Sequence, residues 1–104
     1  MNISNTHKIY HRRKGVAQLL SDSPLRVIRR MCKHFSHRVP IKTVDGVSEI
    51  YFLEGTCYVL PEQSSVRFEI SSESNQGFTL INDTLERHLS QFTQDKTQIL
   101  WSYH

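Results

Sequence analysis

The sequence predicts an α+β fold: a two-layer sandwich whose antiparallel sheet carries two helices on one face, in the order β-α-β-β-β-β-α-β. Three observations predict it. Two segments place apolar residues at helical spacing on one side only, so each helix buries a single face. Between them run strand-forming stretches separated by short turn signals, the pattern of sequential hairpins. The 104 residues, 38% hydrophobic and 22% charged, suit one small domain with its own core rather than two.

Residues 1–14 are polar and basic and are expected to form a flexible arm, carrying Lys8, Arg12, Arg13 and Lys14, ahead of a single domain at 15–104. Val16, Ala17, Leu19 and Leu20 predict a first strand. Ser21-Asp22-Ser23-Pro24 is a helix start: the Ser23 side-chain oxygen suits an orphan amide, and Pro24 suits the first turn. The helix is expected from Pro24 to about Ser36. Leu25, Ile28, Met31, Cys32 and Phe35 share its core face, with Val27 at the margin. Arg26, Arg29, Arg30, Lys33 and His37 fall on the other side, and Pro40 forbids continuation.

Val39–Thr43 then leads to the turn at Val44-Asp45-Gly46. Ser48–Leu53, a turn at Glu54-Gly55, Thr56–Leu60 and a turn at Pro61-Glu62-Gln63-Ser64 follow. Val66, Phe68 and Ile70 alternate with Arg67 and Glu69, a strand with one wet face. A second helix is expected from about Gln76 to Thr93, with Phe78, Ile81, Leu85, Leu89 and Phe92 in one apolar arc and Gly77 weakening its first turn. Lys96–Trp101 predicts the last strand.

Composition narrows the function classes. No apolar run reaches the roughly 20 residues of a membrane span, and the first twenty residues lack the apolar block of a secretory signal. Two cysteines, Cys32 and Cys57, do not make a disulfide scaffold, so a reduced cytoplasmic chain is expected. The net charge of +3 hides a split: residues 1–43 hold ten Lys/Arg and one acid, and residues 44–104 hold three bases and nine acids. The densest cluster is Arg26, Arg29, Arg30 and Lys33 on one helix face, which predicts an anionic partner.

Few residues carry legible chemistry. His88 falls inside the apolar arc of the second helix, where an imidazole needs partners for both nitrogens. Cys32 and His34 point about 200° apart on a helix, so they cannot share a metal ion, whereas His34 and His37, one turn apart, converge. His34, His37 and His88 are therefore the candidate ligand-binding or polar cluster, and the candidate ligands should a metal or haem iron be held. Cys57, mid-strand, reads as core packing, and Asp83 and Glu86 as exposed solubilising charges. No nucleophile–base pair, phosphate-binding glycine loop or zinc cysteine pair is present, so an enzyme is the least favoured class.

At Cys32-Lys33-His34-Phe35-Ser36-His37 the chain resembles a known family, the bacterial domain of unknown function 2218 (DUF2218). The likeness continues through Ile50-Tyr51-Phe52, Gly55-Thr56-Cys57-Tyr58-Val59 and His88-Leu89-Ser90-Gln91-Phe92 to Trp101, covering about residues 15–102. Arg38 and Gln91 stand where members often carry Lys and Arg. The resemblance implies an association with iron acquisition, as companions of flavin-dependent ferric-siderophore reductases, and carries over no catalytic residue. It also implies that His34, His37 and His88 belong together on two helices of one layer, with His34 facing His88.

These readings favour a small cytoplasmic binding or accessory protein of iron or siderophore use. It would hold an anionic ferric complex, haem or a partner reductase against the basic helix near the histidines. The alternatives are nucleic-acid binding through the arm and the first helix, and self-association of the basic part with the acidic remainder of another copy.

Overall fold

The computed structural model describes residues 13–89 and 99–103. In chain order these form β1 (Arg13–Leu20), α1 (Pro24–Phe35), β2 (Ile41–Val44), β3 (Val47–Phe52), β4 (Gly55–Pro61), β5 (Ser65–Ser72), α2 (Asn75–Leu89) and β6 (Ile99–Tyr103). The strands make one sheet of order β2-β3-β4-β5-β1-β6, and every pairing is antiparallel. Both helices pack on the same face, so the α+β two-layer architecture and its element order are as the sequence predicts. No helix among the described residues is long and apolar enough to cross a membrane.

Strand periodicity builds the core. Ala17 and Leu19 of β1, Ile50 of β3, Cys57 and Val59 of β4, and Val66, Phe68 and Ile70 of β5 point inward and are buried. Register aligns them: Ala17 and Val59 both pair with Phe68, and Cys57 pairs with Ile50 on one side and Ile70 on the other. The helices close this layer with Val27, Ile28, Met31 and Phe35 from α1, and Phe78, Ile81, Leu85 and Leu89 from α2. The opposite sheet face stays wet, with Gln18, Tyr58, Arg67 and Glu69 half-buried among their neighbours.

Several boundaries and contacts differ from expectation, each for a physical reason. β1 starts at Arg13, so Arg13 and Lys14 leave the expected arm to pair with Ser72 and Ser71; residues 1–12 lie outside the described residues. Leu25, expected in the core, is 64% exposed, whereas Val27 is buried. The buried stripe is centred on Val27, Met31 and Phe35, and at 100° per residue Leu25 falls off its edge. Ser23 makes no side-chain cap. Its carbonyl accepts from the Arg26 and Val27 amides instead, and Ser21 Oγ accepts from the Ser23 amide. α1 stops at Phe35 rather than Ser36, with the Val39 amide donating to the Phe35 carbonyl. The expected tail of the second helix at Ser90–Thr93 and the start of the last strand at Lys96 also lie outside the described residues.

Two glycines have definite work. Asp45 (φ 52°) and Gly46 (φ 82°) are both left-handed, the two-residue turn whose twist matches a hairpin. Gly77, in the first turn of α2, faces Ser72 Oγ, the Glu54 carbonyl and Ser74 Oγ so closely that there is no room for a Cβ. Ser74 caps α2: its Oγ accepts from the Gly77 amide at 2.9 Å and its carbonyl from the Phe78 amide at 3.0 Å.

Candidate functional site

The basic face of α1 is built by helical spacing alone. Arg26, Arg29, Arg30 and Lys33 stand at i, i+3, i+4 and i+7, opposite the buried stripe, and all four are exposed. Together they line one shallow depression of about 360 Å³. None forms an ion pair among the described residues, where Arg67–Glu69 across the molecule, at 2.8 Å, is such a pair. The first turn of α1 carries no acid, so Arg26 sits near the positive end of the helix dipole, with Asp22 just ahead of the helix.

The histidines divide. His34 occupies the last turn of α1 and His88 the last turn of α2. Packing the two helices side by side brings their rings to a centroid separation of 4.8 Å at a 45° tilt. Phe35 lies against both: its ring is 5.1 Å from His34 and 5.6 Å from His88, edge to face in each case. Phe52 from β3 backs Phe35 at 5.5 Å. His37 takes no part in this packing as a helical neighbour. The helix ends before it, and it is exposed in the turn that follows. The i, i+3 convergence expected of His34 and His37 required the helix to continue.

The electrostatics of His88 are one-sided. Burial, then His34, Arg87 and Arg38, hold the His88 imidazole below its ordinary value. The negative ends of the two helix dipoles favour an imidazolium there, but they do not outweigh these effects. His88 Nδ1 is buried and has no hydrogen-bond partner among the described residues. No group of three His, Cys, Asp or Glu side chains that could hold a metal ion stands together among the described residues.

Other candidates resolve simply. Cys57 is fully buried, and burial pushes its thiol well above the ordinary range, so it is core. Cys32 is half-buried at the core margin. Asp83 and Glu86 are exposed. The sequence did not single out Phe52, Arg38 or Arg87 as surroundings of the histidines. Phe52 arrives from a strand, so no local spacing connects it to either helix. Besides one of about 490 Å³ at Leu80, Asp83, Glu86 and Arg87, two further depressions lie elsewhere. One of about 450 Å³ sits at the β3–β4 turn and the start of α2, beside Leu53 and Leu80. The other, about 390 Å³, lies over Tyr58, Arg67 and Glu69 on the open sheet face.

The comparisons with known proteins agree with this fold. No curated protein matches the chain. The NMR structure of PA4090 from Pseudomonas aeruginosa superposes with a TM-score of 0.71 at 19% sequence identity, covering 86% of this chain and 95% of that one; at that identity the likeness is one of fold. A family model described as an uncharacterized protein conserved in bacteria matches residues 16–102. Over nearly all of its length, then, this α+β sandwich belongs to the bacterial DUF2218 family.

Proposed function

We propose that the protein is a small cytoplasmic binding or accessory module that holds an anionic partner against α1. The carrying observation is the set Arg26, Arg29, Arg30 and Lys33, four exposed cations around one depression with no counter-charge among the described residues. Like charges at i, i+3 and i+4 destabilise a helix by about 0.2–0.5 kcal/mol per pair. The fold thus carries this repulsion with no ion pair among the described residues in return. A local rule broken without compensation is the mark of a surface meant for something else. The choice of a ferric complex or haem among anions rests on the family resemblance.

The test is a titration of the full chain with ferric citrate, a ferric tris-catecholate, haemin and a single-stranded thymidine oligonucleotide, read by absorbance and thermal shift. Saturable binding of an iron complex that is lost in Arg29→Glu/Arg30→Glu, with the melting temperature of the free variant unchanged, supports the reading. Binding of none of the four, or equal binding by the variant, refutes it. Preferential oligonucleotide binding, with a log–log salt slope near −3 for about four neutralised phosphates, would assign the same face to nucleic acid instead.

A further inference from the structure

We propose that the chain associates head to tail with a second copy of itself: Leu25 and the cations beside it on α1 seat in the acidic groove that Leu53 and Leu80 line on the next copy. This rests on the reading of α1 as the seat of an anionic partner, and it names one such partner.

Leu53 occupies the tip of the β3–β4 hairpin, between the paired Phe52 and Gly55, and is 96% exposed. Hairpin tips favour Gly, Asn, Asp and Ser, whose backbones or side chains suit the turn, and leucine offers the turn neither. Leu80, 45% exposed, lines the same depression from α2. A second depression shares Leu80 and runs on past Asp83 to Arg87. Together the two hold Glu54, Glu73, Asp83 and Glu86 against the single cation Arg87. The groove is therefore apolar at its two leucines and negative around them.

The start of α1 is its complement. Leu25 is 64% exposed, with Arg26 next to it and Arg29 one helical turn on. One chain cannot bring the two surfaces together by itself. Phe35, at the far end of α1, packs on Phe52 at 5.5 Å, which puts Leu53 at that end of the helix. Leu25 stands about 15 Å back along the axis, at 1.5 Å per residue. Leucine knob and acidic groove thus lie at opposite ends of α1. The contact they make between copies is heterologous rather than two-fold, so it extends into a ring or a row instead of stopping at a pair.

Sedimentation of the full chain up to about 1 mM, the range of a weak exposed contact, reads the association. The expected mass rises with concentration, and the affinity falls about tenfold from low to high salt, the worth of two or three exposed ion pairs. Leu25→Asp and Leu53→Asp each weaken association about tenfold to a hundredfold, as for one leucine left in water. Both chains keep their melting temperature, because Asp suits the first turn of a helix and the tip of a hairpin. Mixing them decides the geometry. The Leu53→Asp chain retains a sound knob and the Leu25→Asp chain a sound groove, so an equal mixture forms pairs and nothing larger. A parent chain that stays monomeric throughout, an association indifferent to either substitution, or a mixture that does not pair overturns the inference. Ferric citrate separates it from the reading beneath: saturable binding of ferric citrate without self-association overturns the inference alone, and absence of both overturns the anion reading with it.

Discussion

Replacing Gly77 by Ala tests the packing at the start of α2. From helix propensity alone the substitution should help, since Ala is better than Gly in a helix by about 1 kcal/mol. The structure reverses the sign. A Cβ at position 77 would collide with Ser72 Oγ and press on the Glu54 carbonyl and Ser74 Oγ, each at 3.1 Å. Ser72 is 1% exposed, and its hydroxyl donates to the Glu54 carbonyl at 2.7 Å. Moving that hydroxyl strains a filled site, at about 1–3 kcal/mol, and loosens a buried hydrogen bond worth about 0.5–1.5 kcal/mol. Against the propensity gain, the net is a loss of about 1–3 kcal/mol. For a domain of this size that lowers the melting temperature by roughly 5–15 °C. Thermal and urea unfolding of Gly77→Ala would measure it, with Gln76→Ala, exposed in the same turn, as the control expected within about 0.5 kcal/mol. A Gly77→Ala protein as stable as the parent would refute the reasoning and return Gly77 to an ordinary weak helix residue.

Two other outcomes are expected. Because the folded protein holds His88 below its ordinary value, the unfolded chain takes up the proton first as pH falls. Stability is therefore full above the ordinary imidazole range and declines on acidification through it. Melting curves across that range should show the decline and its flattening in His88→Gln, whereas a stability that rises on acidification would contradict the placement of His88. Cys57 should resist a disulfide reagent in the native state and react only on unfolding, because it is buried and its thiolate is disfavoured. Thiol counting in native and denaturing buffer checks this, and prompt native labelling at Cys57 would contradict the core position.

How much could be seen beforehand differs by element. The hairpins were legible because Asp45-Gly46 and the alternation of Val66, Phe68 and Ile70 are local signals. The His34–His88 approach was indicated by the family likeness and by the place of His88 in an apolar arc, and the rings do meet at 4.8 Å. His37 went astray because a helix end is weakly encoded: Pro40 forbids continuation but does not say that the chain leaves the helix after Phe35. Leu25 went astray because Leu25 and Val27 lie on opposite flanks of the same stripe, and only the sheet decides which flank is covered. Gly77 looked like a blemish in the sequence, since the groups that exclude a side chain there come from β5 and the β3–β4 turn.

The sheet order also has a consequence for how the chain assembles during synthesis. β2 through β5 form a meander whose members pair with their immediate successors, so each hairpin can zip as it emerges. β1 is made before all of them, yet Leu20 waits for Ser65, Arg13 for Ser72, and β1's other edge for β6 at the far end. Such distant closures are slow. In the interval a nascent chain exposes an unpaired strand bearing Val16, Ala17 and Leu19, the sort of edge that invites wrong partners.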